Sequence, residues 1–250
     1  RGASIWDAFC QVPGRIEDGA TGDVACDHYH RYREDVALIK GMGLGHYRFS
    51  VAWPRILPSG TGAPNPKGIA FYDRLIDALL ESGITPWVTL YHWDLPLALQ
   101  IERDGWLNPD IAALFADYAT ICFKAFGDRV KRWTTLNEPW VSAVQGHNVG
   151  KHAPGRVSPD EPYVVGHNLL RAHAMAVAAY RRGFQGSQKG IIGITFNSDW
   201  REPRTSRSQD VAAAQRSMEF HLGWFADPVY RGDYPAAIKE FEELRKAFYS

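Results

Sequence analysis

The chain has 250 residues, of which 45% are hydrophobic and 22% are charged, as in an ordinary globular domain. Its 28 basic and 28 acidic side chains give a formal net charge of zero, so neither nucleic acid nor an anionic membrane is an expected partner. No apolar run reaches the roughly 18 residues of a transmembrane helix.

The chain contains three cysteines, Cys10, Cys26 and Cys122, and their wide spacing fits no zinc or redox pattern. We expect them to be buried, reduced thiols, which are typical of a cytoplasmic protein. The opening residues 1–6 do not have the pattern of a signal peptide, and the chain does not begin with Met, so its start constrains the localisation only weakly.

Residues 1–27 are rich in Gly and Asp and predict a long loop with a short helical turn at Ile5–Phe9. A helix is predicted over residues 28–42, with Asp27 as its N-cap. His28 and His30 are two residues apart and do not share a helix face, so we expect no metal site there.

The next segment, residues 44–51, predicts a buried strand that contains Arg48. A charge inside a strand requires a partner. Two interpretations stay open: Arg48 lies on the surface of an edge strand, or it pairs with carboxylates in a pocket. A helix is predicted over residues 67–82.

A second strand is predicted over residues 84–91 and leads directly into His92 and Trp93. A His that can hydrogen-bond a hydroxyl group, next to an aromatic ring, is typical of a sugar-binding surface. A single His at a strand end is also common as a packed loop residue. A helix over residues 110–126 follows, with apolar positions at helical spacing.

A third strand, from about residue 131, should end near Glu138 because Pro139 cannot donate a ladder hydrogen bond. This places Asn137 and Glu138 side by side where a strand meets a loop, the position of catalytic residues in parallel α/β proteins. Residues 140–160 predict a long loop.

A long helix is predicted over residues 162–182, and it contains His167 and His173 as packing residues. A fourth strand, residues 190–197, again ends in a polar residue, Asn197.

The C-terminal part predicts a helix over residues 208–225, a break at Pro228 and Gly232, and a last helix over residues 235–249. Strands that alternate with helices predict a parallel α/β sheet in one domain spanning residues 1–250. Only four βα units fill this length, so the sheet is either an open one or part of a larger (β/α)8 barrel.

Several stretches with compatible spacing together resemble the family 1 glycoside hydrolases of the β-glucosidase type, from about residue 4 to residue 235. They are Ser4-Ile5-Trp6-Asp7, Gly22-Asp23-Val24-Ala25-Cys26-Asp27-His28-Tyr29, Tyr47-Arg48-Phe49-Ser50-Val51-Ala52-Trp53-Pro54-Arg55, Tyr91-His92-Trp93-Asp94-Leu95-Pro96, Thr135-Leu136-Asn137-Glu138-Pro139-Trp140 and Gly150-Lys151-His152-Ala153-Pro154-Gly155.

The resemblance implies a (β/α)8 barrel of roughly twice this length, of which the four predicted strands are the second to fifth. The first strand and the sixth to eighth are then expected outside these residues. The family's nucleophile lies in a Thr-Glu-Asn-Gly motif, which this sequence does not contain. His147 stands where the family usually has Tyr, a departure that affects contacts on the aglycone side.

The resemblance implies retaining hydrolysis of β-glycosides, in which two carboxyl groups act about 5–5.5 Å apart. Glu138 is then the acid/base, and it must stay protonated near neutral pH through burial and a neighbouring carboxylate. Asn137 would bind the sugar 2-hydroxyl group, and Arg48 would keep the nucleophile ionised. No metal or organic cofactor is implied.

By the same resemblance, His92 binds a sugar hydroxyl group, Trp93 packs near the sugar, and Asn197 reaches the aglycone side. A Glu at position 138, rather than a Gln, argues against a thioglucosidase.

Three functional hypotheses stay open. The chain is part of a working β-glycosidase completed by further sequence, a complementing chain or a homo-oligomer; or it is a truncated, catalytically silent sugar-binding fragment; or it belongs to a 6-phospho-β-glycosidase. On its own, the chain is expected to be inactive or nearly so, because it lacks the nucleophile.

Overall fold

The computed structural model describes the backbone of residues 1–249 and the side chains of residues 1–243. Four strands form one parallel sheet in the order β1-β2-β3-β4. They are β1 (His46–Ser50), β2 (Thr85–Tyr91), β3 (Arg132–Asn137) and β4 (Ile191–Thr195). The four predicted strands and their parallel arrangement are confirmed.

Eleven helices are described within residues 1–249: α1 (Ile5–Cys10), α2 (His28–Gly41), α3 (Trp53–Ile56), α4 (Pro66–Glu81), α5 (Leu97–Arg103), α6 (Ile111–Phe126), α7 (Glu161–Gly183), α8 (Gln185–Gln188), α9 (Ser208–Met218), α10 (Trp224–Arg231) and α11 (Ala236–Tyr249). Two 3₁₀ turns (Glu17–Gly19 and Gly105–Leu107) and two π turns (Val141–Gln145 and Glu219–Gly223) complete the regular structure. None of these helices is long and apolar enough to cross a bilayer.

The helix α4 illustrates how local sequence sets these elements. The Asn65 side chain accepts a hydrogen bond from the backbone N–H of Lys67, and Pro66 occupies the first turn, where its missing N–H is not needed. Leu75 and Leu79 repeat at helical spacing and are buried. Gly83, with φ of 75°, ends the helix in the left-handed region.

One face of the sheet is covered by helices and the other is open. Helix α4 packs on β2, and α7 packs on β3 and β4, over buried residues such as Val88 and Trp133. The opposite face carries four residues in register across the strands, Arg48, Trp87, Arg132 and Ile191. Trp87 is 36% exposed and Ile191 is 59% exposed, so this part of the face lies open among the described residues, whereas Thr89 and Thr134 on the same face are buried.

The prediction that the first strand is buried is wrong. Of the five residues of β1, only Phe49 is buried, and Arg48 is exposed. The strand β1 pairs with β2 alone among residues 1–249, and its second face belongs to the open side of the sheet. Apolar sequence therefore indicated the strand correctly but not its surroundings.

Two helix boundaries depart from prediction for local reasons. Asp27 precedes α2 as expected, but it has a left-handed backbone and its carboxylate accepts from His30 Nδ1 at 2.6 Å instead of capping the helix. Pro228 lies inside α10, which continues to Arg231 and ends at Gly232. The burial of the neighbouring Phe225 stabilises this helix against the hydrogen bond that Pro228 cannot make.

The predicted loop over residues 140–160 is wrong in its first part. Residues 139–147 are helical and include the π turn Val141–Gln145. The backbone carbonyl of Glu138 accepts from the N–H of Val141 at 3.0 Å, so the strand passes directly into a helical turn. Pro139 is compatible with this turn because the first helical N–H groups need no partner within the helix.

All three cysteines are free, but their predicted burial holds only for Cys122. Cys10 is half-buried and Cys26 is exposed. Cys26 lies in the surface segment that precedes α2, where nothing in the local sequence indicates which side chains meet the core.

His173 on α7 is buried as predicted, and its Nδ1 atom lies 2.7 Å from the Thr135 hydroxyl oxygen of β3. His167 is exposed, and its Nδ1 atom lies 2.9 Å from the Tyr234 hydroxyl oxygen. Burial, aided by the charge of Arg181, lowers the pKa of His173 from 6.5 to about 4. The folded state therefore favours the neutral imidazole.

We expect the free energy of unfolding to reflect this titration. Because the folded pKa of His173 is lowered, its contribution is complete above pH 6.5 and is lost as the pH falls to 4, by about 3 kcal/mol. Denaturant unfolding at pH 7 and pH 4 should show this loss in the wild-type chain relative to His173→Asn, whose amide can still bond Thr135. Equal changes in both proteins would contradict the assignment.

Candidate active site

The carboxyl ends of the four strands lie at one edge of the sheet because the strands are parallel. Arg48 comes from β1, His92 and Trp93 directly follow β2, and Asn137 and Glu138 end β3. The structure brings these five predicted residues together at that edge. Asn197, which follows β4, belongs to a neighbouring cluster.

Asn137 is the centre of the group and is buried, with 3% of its surface exposed. An Arg48 guanidinium N–H donates to Asn137 Oδ1. The amide N–H of Asn137 donates to His92 Nε2 at 3.1 Å, and the indole N–H of Trp93 donates to the backbone carbonyl of Asn137 at 2.9 Å. Side chains from two other strand ends thus fix Asn137 from three directions.

The contact with Asn137 also defines the state of the His92 ring. A nitrogen that accepts from an amide N–H carries no proton, so the proton of the neutral ring lies on Nδ1. Burial and the charge of Arg48 lower the pKa of His92, which favours this neutral form. The ring is exposed, so its Nδ1–H can donate to a bound ligand.

Glu138 follows Asn137 in a left-handed backbone conformation, with φ of 49°. Its backbone N–H donates to the Thr195 carbonyl of β4 at 2.9 Å. The residue is half-buried, and no donor among residues 1–243 bonds its carboxylate. An acid/base role would require Glu138 to be buried. That burial is incomplete here, because the open sheet face leaves the Glu138 side chain partly in solvent.

Trp93 shares this unusual backbone, with φ of 78°. A left-handed conformation costs roughly 1–3 kcal/mol at a non-glycine residue and persists only where surrounding contacts impose it. Here the contacts are the Trp93–Asn137 and Glu138–Thr195 hydrogen bonds, which join three adjacent strand ends. Two such residues therefore lie at neighbouring strand ends.

Arg48 meets neither of its two interpretations in full. It is exposed on an edge strand, yet its guanidinium contacts Asn137 Oδ1 and lies 3.5 Å from the Thr195 hydroxyl oxygen. No carboxylate among the described side chains forms an ion pair with it. Three of its five N–H groups remain available on the open face.

Asn197 lies in a second cluster with His221 and Trp140. The Asn197 amide nitrogen is 3.3 Å from His221 Nε2, and the His221 ring contacts Trp140 in a tilted arrangement with centroids 4.2 Å apart. Sequence reasoning missed His221 because a single His within a helix gives no local signal. Trp200 is 75% exposed, and its indole N–H donates to Glu202, away from this cluster.

Asp94, next to Trp93, is a half-buried residue with an enclosed carboxylate oxygen, and the sequence alone did not single it out. Its Oδ1 atom is fully enclosed and unpaired. Burial raises the pKa of Asp94 to about 7, against smaller opposite effects of the backbone N–H groups of Asp94 and His92. The nearby Arg1 is already paired with Asp7.

We expect Trp93→Phe to lower the free energy of unfolding by about 1–3 kcal/mol, because it leaves the carbonyl of Asn137 without its donor. Urea unfolding followed by circular dichroism would measure this change. Trp200→Phe is the matched control, since its indole N–H bonds an exposed side chain. Equal losses for the two variants would argue against a fixed Trp93–Asn137 contact.

No group of three or more His, Cys, Asp or Glu side chains in the described part of the chain could hold a metal ion. His28 and His30 instead pair with different carboxylates, Asp35 and Asp27.

Comparison with known proteins gives consistent matches. The sequence model of glycosyl hydrolase family 1 matches residues 1–247. The chain is 50% identical to β-glucosidase 25 of Oryza sativa subsp. japonica, over 96% of this chain and 50% of the rice protein. It is 52% identical to β-glucosidase A of Thermotoga maritima, over 96% of this chain and 53% of that protein.

Solved structures give the same picture. A rice Os3BGlu6 β-glucosidase aligns with a TM-score of 0.93 at 50% identity, covering 94% of this chain and 52% of that chain. The Thermotoga maritima β-glucosidase in complex with castanospermine aligns with a TM-score of 0.92 at 51% identity, covering 97% and 54% respectively. The chain therefore spans about half the length of the relatives it matches.

Proposed function

This chain belongs to glycosyl hydrolase family 1, and on that basis we propose that it supplies the acid/base part of a retaining β-glucosidase site. Its four parallel strands are part of a (β/α)8 barrel, as the sequence predicted. The observation that carries the proposal is the placement of Glu138 beside an Asn137 that contacts Arg48, His92 and Trp93.

In this mechanism Glu138 gives its proton to the leaving oxygen in the first step. It then removes a proton from water in the second step, when the glycosyl intermediate is hydrolysed. The nucleophilic carboxylate, about 5–5.5 Å from Glu138, comes from the part of the family barrel outside these residues. The open face before Glu138 is the side from which that carboxylate would approach.

In this proposal Asn137 binds the sugar 2-hydroxyl group. Its amide nitrogen has a second N–H besides the one given to His92, and its oxygen has a second lone pair besides the one that accepts from Arg48. A hydrogen bond to the 2-hydroxyl group strengthens as positive charge develops at the anomeric carbon, so it lowers the barrier.

Arg48 and His92 complete the polar surface. Arg48 presents its remaining N–H groups on the open face, where a positive charge would keep the nucleophile ionised. His92 presents its Nδ1–H to a sugar hydroxyl group, and the Trp93 ring adds an apolar surface 5.0 Å away, centroid to centroid. Asn197, in the cluster with His221 and Trp140, would contact the aglycone side.

A second candidate function is sugar binding without hydrolysis. Without the nucleophile, the same residues would bind a sugar without hydrolysing it, and the chain would act as a sugar-binding fragment. A 6-phospho-β-glycosidase has no supporting observation among the described residues.

The experiment is a hybrid enzyme in which this chain replaces the matching segment of the Thermotoga maritima β-glucosidase. We expect the hybrid to hydrolyse a chromogenic β-glucoside and the 250-residue chain alone to be inactive or nearly so. Binding of deoxynojirimycin, which is bound in a structure of the Thermotoga maritima enzyme, would check that the site is assembled. A hybrid that melts cooperatively and binds this compound but does not hydrolyse would contradict the proposal.

A further inference from the structure

A small, partly open cavity lies between the end of β2, the π turn after Glu138 and the loop around Pro154. Its lining includes Tyr91, Trp93, Ser142, His147 and His152. The cavity offers about 10 Å³ to water-sized molecules, which is close to the least room that one water needs.

Three of the lining residues carry a buried polar atom with no hydrogen bond of good geometry to any described residue: Ser142 Oγ, His147 Nε2 and His152 Nδ1. His147 is 1% exposed and Ser142 is 8% exposed. The Ser142 hydroxyl lies near the Tyr91 hydroxyl but makes no hydrogen bond of good geometry. Each such atom left unpaired costs about 1–3 kcal/mol, so three around one cavity indicate a shared partner.

The remaining contacts of these side chains determine which hydrogen bonds that partner must donate and which it must accept. His147 Nδ1 lies 3.1 Å from the Ser142 carbonyl oxygen, so it carries the proton and Nε2 is an acceptor. Burial lowers the pKa of both His147 and His152, which keeps the two rings neutral. The Tyr91 hydroxyl already accepts from the Trp106 indole N–H, so its own proton is free to be donated.

We propose that this cavity is a binding site for one water molecule, which bridges Ser142, His147 and His152. The water donates to His147 Nε2 and to His152 Nδ1, and it accepts from the Ser142 hydroxyl group. About three hydrogen bonds are usual for a buried water. No ion fits this set as well, because it combines neutral acceptors with a hydroxyl donor.

The water site would connect the turn after Glu138 to the His152 ring, which packs against Trp93. The backbone N–H of Ser142 lies 3.4 Å from the Glu138 carbonyl oxygen, so Ser142 belongs to the turn that follows the acid. The His152 ring lies between Trp6 and Trp93, with centroids 5.4 and 5.3 Å away. One bridging water would therefore link the turn that contains Ser142 to the loop that contains His152.

His147 also explains why the cavity exists in this chain. The family resemblance expects Tyr at this position, and a phenol ring is longer than an imidazole and ends in a hydroxyl group. In this chain the bridging water takes the place of that hydroxyl group. The water site exists whether or not the chain takes part in hydrolysis, and its test requires no activity measurement.

The test compares His147→Tyr with His147→Phe, which add the same ring but differ in the hydroxyl group. Both rings displace the water, and only Tyr can then bond Ser142 or His152. We expect the equilibrium constant for folding of the Phe variant to be about tenfold or more below that of the Tyr variant, measured by urea unfolding. Equal stabilities would overturn the proposal.

A crystal structure of the wild-type 250-residue chain provides the second measurement. An ordered water within hydrogen-bond distance of both His147 Nε2 and His152 Nδ1 is expected. A site without a density peak, or one in which the two histidines bond Ser142 and Tyr91 directly, would overturn the proposal. Because this structure is of the wild type, the result does not depend on whether either variant folds.

Discussion

In the hybrid enzyme, Glu138→Gln should lower kcat for an alkyl β-glucoside by about 10²–10⁴-fold, the usual contribution of a positioned general acid. An alkoxide is a poor leaving group and requires the proton that Glu138 supplies. Glutamine has nearly the same shape and can still donate a hydrogen bond, but it cannot transfer a proton. The loss therefore isolates proton transfer from packing.

The leaving group provides the internal control for this prediction. With a dinitrophenyl β-glucoside, whose leaving group needs no proton, formation of the glycosyl intermediate should be nearly unaffected by Glu138→Gln. Pre-steady-state kinetics would then show a burst followed by slow turnover, because the second step also needs Glu138 as a base. Glu102→Gln, on the exposed surface of α5, is the matched variant and should leave both steps unchanged. A similar loss with both substrates in the first step would contradict the acid role.

Asp94→Asn should remove a large pH dependence from the stability of the 250-residue chain. The folded pKa of Asp94 is raised from 3.8 to about 7 by burial. The unfolded chain therefore releases this proton at a lower pH than the folded chain. The stabilising contribution of the protonated group is complete below pH 3.8 and is lost as the pH rises through 7, by about 4 kcal/mol.

The measurement is the difference in free energy of unfolding between the wild-type chain and Asp94→Asn at pH 4 and at pH 8. The wild type should lose about 4 kcal/mol relative to the variant over this range. His173 contributes with the opposite sign between pH 4 and 6.5, but it is present in both proteins and cancels. Asp117→Asn, at an exposed position of α6, serves as the carboxylate control. A difference that stays constant with pH would show that Asp94 is hydrated in the folded chain.

Removal of Asp94 also bears on the neighbouring site. Asp94 follows the left-handed Trp93, and the backbone N–H groups of His92 and Asp94 lower the pKa of its carboxyl group against the larger effect of burial. Replacement by Asn keeps a side-chain oxygen beside these N–H groups, so the turn at Trp93 should persist. The pH effect can therefore be read separately from a rearrangement of the strand end.

The alternation of strands and helices was predictable because it depends on the spacing of apolar residues along the chain. All four strands lie within a few residues of their predicted limits, and α4, α6 and α7 begin and end close to prediction. The convergence of Arg48 and Asn137 was also predictable. Parallel strands place their carboxyl ends at one edge of a sheet, and residues that follow those ends must meet there.

The sequence could not specify the surroundings of single residues, because these come from segments far apart in the chain. Asp94 is desolvated by packing that includes the N-terminal segment with its Arg1–Asp7 pair, and the apparently buried β1 lies open. The π turn after Glu138 and the cavity beside His147 depend on contacts among three loops.

The sequence by itself thus determined the order of elements, the family and the identity of the candidate acid. Only the tertiary structure decided which groups around Glu138 are buried, protonated or left without a partner. Periodicity is a property of neighbouring residues, whereas desolvation and hydrogen bonding depend on which distant side chains share a volume. For that reason the motif around Asn137 and Glu138 could be recognised in the sequence. The hydrogen bonds that position Asn137 could not be predicted from it.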